Sequence, residues 1–319
     1  MHRKLSSVCL ETNQTYRLVA SNPEIYLIGS LISFFAMITT EKYLYYILKT
    51  DKKTVQDIIA NLDDYYKSWE MPKLDKDTNL PIPNKTRQLN SSTKGLKLLQ
   101  KRIYSFLLKK TKLPEYAYGG VPQKDNIKNA KHHQGNKYIF TTDLKSFFPS
   151  ISHKQVFDLF SELGCTPTIS RLLTQLTTHK HQLPQGVATS TLIANLVFRK
   201  TGDKISDFAK SNDMKFTTFV DDLTLSSKVD FKKCIPEILQ IITDDGYKIS
   251  HGKTNYKTKN PVITGVICQN NKLKLDGKVY KRLSRLKKVA FADTAEERRH
   301  NGLSQYRKRI DKANVRKMR

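Results

Sequence analysis

Acidic side chains are scarce in this chain. Its 319 residues carry 29 Asp and Glu against 56 Lys and Arg, a formal charge of +27. A solvated surface alone does not need that surplus. A polyanionic partner accounts for it, and nucleic acid fits better than an anionic membrane. Cysteine is scarce as well: Cys9, Cys165, Cys234 and Cys268 form no Cys-x-x-Cys unit and follow no regular spacing. That excludes a disulfide framework and reads as reduced thiols in a cytoplasmic protein. The uncharged run over residues 25–40 is shorter than the ~20 residues a spanning helix needs, and it starts too late for the apolar part of a signal peptide. A buried helix, or one covering a partner, is expected there, with no membrane contact. No internal repeat is visible, and the length supports two or three coupled subdomains.

What is present alternates between helix and strand patterns. Residues 1–50 read as helical, with Thr39 and Thr40 as caps between two helices. Residues 51–84 are polar and broken by Pro72, Pro81 and Pro83. Residues 65–71 and 85–89 read as paired strands around that loop. The spacing of Leu96, Leu99, Ile103, Phe106 and Leu107 predicts an amphipathic helix over 94–109. A strand over 138–144, a helix over 154–163 and a turn at Leu183-Pro184-Gln185-Gly186 follow. Helices over 189–199 and 236–244 and strands at 247–249 and 262–264 complete an α+β order. The last stretch, 272–319, holds 17 Lys and Arg against 5 Asp and Glu. Val279, Leu283, Leu286, Val289 and Ala290 form its apolar stripe, with Lys281, Arg282, Arg285 and Lys288 around it. A basic helix laid against a duplex is expected; the alternative is a helix packed on the body with a solvated face.

Chemistry concentrates at Phe219-Val220-Asp221-Asp222-Leu223. Two carboxylates sit at the bend between two short strand patterns. Adjacent negative charges beside a core are unfavourable unless a cation neutralises them, and a hard divalent metal is the natural partner. Asp143 ends another strand. If both strands share a sheet, three carboxylates converge to hold two Mg²⁺ ions about 4 Å apart, as in-line phosphoryl displacement needs. One ion would activate a 3′-hydroxyl and the other would hold a triphosphate.

Four motifs, in order, carry a family resemblance. Thr142-Asp143-Leu144-Lys145-Ser146-Phe147-Phe148-Pro149-Ser150 resembles the first palm motif of reverse transcriptases. Leu183-Pro184-Gln185-Gly186, followed by Ala188-Thr189-Ser190 and Leu192-Ile193-Ala194-Asn195, is similar to the second. Phe219-Val220-Asp221-Asp222 resembles the third, and Gly246-Tyr247-Lys248-Ile249-Ser250 through Lys253-Thr254 the fourth. Asn129-Ala130-Lys131-His132-His133 and Ile263-Thr264-Gly265 are similar to elements of retron reverse transcriptases. Phe219 stands where the family usually has tyrosine, Val220 where retron enzymes commonly have alanine, and Ile263 where valine is usual.

The resemblance implies a right-hand polymerase fold: a helical extension (1–50), fingers and palm (51–260) and a basic thumb (261–319). It implies RNA-directed DNA synthesis with Asp143, Asp221 and Asp222 as catalytic residues. Leu144 joins them in the metal set for two Mg²⁺ ions, with Mn²⁺ as a substitute. Phe148 is implied as a steric gate against ribonucleotides, with Phe147 or Phe148 as core the alternative. Gln185 and Gly186 are implied at the nucleotide, with Lys85, Arg87 and Lys253 around its phosphates. Asn129 and His133 are implied to contact RNA or to brace the fingers–palm junction. Zinc does not fit them, since suitably spaced cysteine or carboxylate ligands are absent. The implied partners are deoxynucleoside triphosphates and a dedicated structured noncoding RNA, with its DNA product. A separate effector protein in antiphage defence, and self-assembly, stay open. In the family an RNA 2′-hydroxyl often primes synthesis. The rival readings are a defence enzyme making repetitive or untemplated DNA, a catalytically idle RNA-binding scaffold and, more distantly, a two-metal nuclease.

Overall fold

The computed structural model describes residues 38–74, 81–289 and 294–314. The helix expected before residue 38 lies outside them. Thr40 caps α1 (Glu41–Leu48), accepting from Tyr43 N at 3.3 Å, and buries Leu44 and Leu48 behind it. Asp51 caps α2 (Lys52–Ala60) by accepting from Thr54 N at 2.8 Å. This helix corrects the irregular reading of that polar stretch. A cap plus buried Val55 and Ile58 suffices, because packing of one face rather than propensity holds most short helices. β1 (Tyr66–Leu74) and β2 (Pro81–Ser92) pair antiparallel, with Trp69 opposite Leu89 and Met71 opposite Arg87. α3 (Lys94–Lys110) follows, with Leu96, Leu99, Ile103 and Leu107 buried as its spacing predicts and Phe106 half-buried. α4 (Asn126–His133) starts at Asp125, whose carboxylate accepts from Lys128 N at 2.7 Å.

The chain then runs through β3 (Tyr138–Asp143), α5 (His153–Glu162), α6 (Pro167–Thr177), α7 (Ser190–Val197), α8 (Arg199–Ser211), β4 (Lys215–Phe219), β5 (Asp222–Ser227), α9 (Ile235–Asp244) and β6 (Asn255–Lys257). The four strands form one antiparallel sheet in the order β4-β5-β3-β6. Its two faces differ because strand side chains alternate. Phe140 opposite Leu225, and Thr142 opposite Leu223, occupy one face; Phe140, Leu223 and Leu225 enter the main core with Val156, Leu173, Ile193 and Ile238 from the helices. The other face carries Thr141 opposite Thr224, Ile139 opposite Ser226 and Asp143 opposite Asp222. It is the polar side.

The strand expected at 247–249 is a single bridge, Leu144 to Ile249. Gly246 at φ +85° turns the chain, and bonds from Lys145 N to Lys248 O (2.7 Å) and from Ser250 N to Asp143 O (2.8 Å) hold it across the end of β3. A small sheet of β7 (Val262–Ile263), β8 (Val266–Cys268) and β9 (Leu273–Leu275) follows, then α10 (Gly277–Val289) and α11 (Thr294–Asn314). A second core joins this unit to α4 and β3 through Ile127, Ala130, Ile139, Ile263, Val266 and Ile310. No helix among the described residues is long and apolar enough to cross a membrane.

Candidate active site

The register of the central sheet builds the site. Asp143, the last residue of β3, lies directly opposite Asp222, the first of β5. Side chains so paired share a face with Cβ atoms about 5 Å apart, and like charges there repel. Asp221 precedes Asp222 in the turn, and its carbonyl accepts from Leu144 N at 2.9 Å. Chains 78 residues apart therefore meet at one end of one sheet. Asp143 is buried, and Lys253 Nζ donates to its Oδ2 at 2.7 Å. Burial, then the charge of Asp143, raises the pKa of Asp221; Lys253 and Arg87 pull it partly back.

Among the described residues no three His, Cys, Asp or Glu side chains already stand as a metal-holding cluster; the cation beside Asp143 is Lys253. The donor chemistry nevertheless fits a hard divalent ion. Asp143 and Asp222 are cross-strand partners, Asp221 adjoins them, and burial together with the charge of Asp143 disfavours the carboxyl of Asp221 as an anion.

The other expected residues divide. Arg87 and Lys85 are exposed on β2, and the charge of Arg87 acts to lower the pKa of Asp221. Phe147 enters the core while Phe148, 5.9 Å from it between ring centres, is half-buried. Gln185 is tied to the hairpin: its carbonyl accepts from Asn90 N at 2.8 Å. Gly186, at φ +111°, has no room for a side chain because a Cβ would lie 2.7 Å from Asn90 O. The close approach its glycine permits is thus to β2, whereas the sequence pointed to a ligand. Lys281, Arg282 and Arg285 are exposed on α10; the side chain of Lys288 lies outside the description.

Asn129 and His133 require a correction. Both are fully buried, so direct contact with RNA is closed to them. His133 bonds Ser226 Oγ through Nδ1 and Thr217 Oγ1 through Nε2, each at 2.7 Å. Asn129 Nδ2 reaches Thr264 Oγ1 at 3.4 Å. They brace α4 between the central sheet and the 262–275 unit.

Sequence reasoning gave no role to Gly119, Asn90 or Asn195. Gly119 packs on the aspartate turn so closely that a Cβ would lie 2.5 Å from Val220 N. Only the Gly119-Gly120 pair hinted at a tight turn, and nothing local says what it abuts. Beside Asp222, the polar Thr141, Thr224, Asn255, Lys257 and Lys278 and the apolar Phe219, Leu223 and Val262 line a cleft of about 540 Å³.

Residues 71–268 match the family described as reverse transcriptase (RNA-dependent DNA polymerase). The match covers more than half of the chain, and the chain belongs to that family: it is an RNA-directed DNA polymerase. Retron enzymes are among its relatives. It is 28% identical over 236 residues to the Retron Ec86 reverse transcriptase of Escherichia coli, covering 72% of each chain. It is 30% identical over 210 residues to the Retron Se72 reverse transcriptase of Salmonella heidelberg, covering 66% of this chain and 52% of that one. The Retron Mx162 reverse transcriptase of Myxococcus xanthus is 26% identical over 235 residues, with 64% and 47% covered. The chain thus spans most of the first relative and about half the length of the other two.

Proposed function

We propose that this polymerase copies a dedicated structured noncoding RNA into DNA by two-metal phosphoryl transfer, as part of a retron-like antiphage defence system. The observation that carries the chemistry is the pairing of Asp143 with Asp222 in the sheet register, with Asp221 in the adjoining turn. Asp143, Asp221 and Asp222, with Leu144 beside them, would hold Mg²⁺ or Mn²⁺, which supplies charge neutralisation at the attacking hydroxyl and the leaving pyrophosphate. Lys253, beside Asp143, presents a positive charge toward the phosphates, and Arg87 offers a planar donor fork from the facing hairpin. The half-buried ring of Phe148 is the surface against which a ribose 2′-hydroxyl would collide. Residues 51–260 act as fingers and palm, and 261–319 as a thumb whose exposed Lys281, Arg282 and Arg285 meet the duplex. The similarity to enzymes named for retrons supports the finer statement about template and role.

Nucleic acid copurifying with the protein tests the reading. The expected result is one RNA species joined or annealed to complementary DNA, with the DNA missing from Asp221→Asn and Asp222→Asn proteins. DNA of repetitive sequence unrelated to the bound RNA would favour untemplated synthesis. Undiminished phage protection by both variants would show an idle scaffold.

A further inference from the structure

The aspartate turn is held from outside its own hairpin. Val220 is β-branched yet sits at φ +61°, a region such side chains rarely occupy, so the turn is strained and something must keep it from relaxing. Gly119 presses on it: a Cβ there would come within 2.5 Å of Val220 N and 2.8 Å of Phe219 C. The segment bearing Gly119 is bonded along β4. Ala117 bridges Thr218 in parallel, Tyr118 N donates to Thr218 O at 2.8 Å, and Thr218 N donates to Tyr116 O at 2.8 Å.

The amine of Lys124 also holds that segment, donating to Ala117 O at 2.9 Å, and a buried side chain fixes it at Gly119. Asn195, buried on α7, donates from Nδ2 to Gly119 O at 2.9 Å. Next to it, Gly120 at φ +70° is seated against Thr191 of the same helix. The first residue of that helix, Ser190, donates its hydroxyl to Pro184 O at 2.5 Å, one residue before Gln185. A single short helix is therefore bonded at one end to the Leu183–Gly186 turn and at the other, through Gly119, to the aspartate turn.

We propose that Asn195 is a positioning residue for the Asp221–Asp222 turn. Its amide keeps Gly119 against Val220, so the strained turn stays closed and the carboxylates keep a fixed place relative to Gln185. The inference rests on the reading of those carboxylates as the catalytic pair. Its structural half stands independently of that reading.

Asn195→Ala and the isosteric Asn195→Asp both remove the donor, and two measurements on the full-length protein decide the matter. Hydrogen exchange reads the turn directly, since Leu144 N donates to Asp221 O at 2.9 Å and Tyr118 N to Thr218 O. Both amides should exchange about tenfold faster or more in the variants, with helix Lys94–Lys110 unchanged. Primer extension on an RNA template should show kcat reduced about 10²-fold, while KM for the deoxynucleotide stays within about twofold. Gly119→Ala should lose kcat similarly, and the Gly119→Ala/Asn195→Ala double variant little more, because both act through one contact. Unchanged exchange at Leu144 in both variants would overturn the proposal, and so would equal acceleration throughout the Lys94–Lys110 helix. Faster exchange at the turn in a protein that copies no RNA even as wild type would instead sink the catalytic reading and leave the positioning role in place.

Discussion

Asp143 and Asp222 face each other across an antiparallel ladder, and Lys253 offsets part of their repulsion through its contact with Asp143. Asp222→Asn keeps the shape of the side chain and removes one of the two facing charges, an interaction of about 0.2–1 kcal/mol on the scale of cross-strand pairs. It should also reduce DNA synthesis on the order of 10²–10³-fold, as loss of a preorganised charged group does. A melting temperature close to wild type together with lost extension is the expected pair of results. Phe148 is a second residue whose change separates function from folding. Its ring is half-buried while Phe147 takes the core position, so Phe148→Val should incorporate ribonucleotides more readily in competition assays and melt near wild type. His133 governs a pH response of another kind. Burial first, then the charges of His132 and Lys215, hold its pKa well below the usual 6.5. The unfolded chain therefore takes up the proton that the folded chain refuses. The sign follows: this contribution is complete above about pH 6.5 and is lost as pH falls below it. Melting temperature should drop between about pH 7 and pH 5. His133→Gln should flatten that slope, leaving the part due to His132 and His153, whose pKa values burial also lowers.

At the scale of elements, the contact between β2 and the Leu183–Gly186 turn joins the hairpin to the turn proposed to face the nucleotide. Gly186→Ala forces a Cβ to within 2.7 Å of Asn90 O, at a φ that L residues avoid. Strain of about 1–3 kcal/mol is expected, released by parting the turn from β2. KM for the incoming nucleotide should rise about tenfold as Gln185 loses its anchor, the equivalent of about 1.4 kcal/mol; an unchanged KM would separate the contact from nucleotide binding. The β4–β5 hairpin, β3 and the Lys94–Lys110 helix were legible in the sequence because their apolar spacing is periodic and their turns are short. The helix Lys52–Ala60 was hidden by its polar composition, since only Val55 and Ile58 are buried. The helix Pro167–Thr177 drew no reading, although Pro167 at its start and the spacing of Ile169, Leu173 and Leu176 mark it in hindsight. Strands as short as Val262–Ile263 leave no period to detect. The site was legible where its residues are their own signal, as with Asp221-Asp222. Asn195, Gly119 and Asn90 act through contacts formed only when distant segments pack, and no spacing along the chain reports those.

For the molecule as a whole, the surplus of 56 basic over 29 acidic residues sets how binding responds to salt. Polycation–nucleic acid affinity is governed by released counterions, so log K should fall linearly with log salt concentration, with a slope of about −0.9 for each phosphate neutralised on a duplex. The helix Gly277–Val289 makes the sharpest test of where those phosphates sit. Leu283 and Leu286 are buried while Lys281, Arg282 and Arg285 are exposed, so the helix is anchored by one face and offers its charges on the other. The anchor includes the adjoining helix Thr294–Asn314, from which Arg307 stacks its guanidinium 5.5 Å from the ring centre of Tyr280. Replacing Lys281, Arg282 and Arg285 together by Gln removes charge without touching the buried leucines, so the fold should melt as in wild type. If this face meets the duplex, the salt slope for an RNA–DNA hybrid should become shallower by about 2–3, one step per lost contact. Affinity at moderate salt should fall with it, equally for hybrids of any sequence, because phosphates carry no sequence information. An unchanged slope would mean that these charges face only solvent, and the surface that neutralises the duplex would have to be sought on the exposed lysines and arginine of the β1–β2 hairpin.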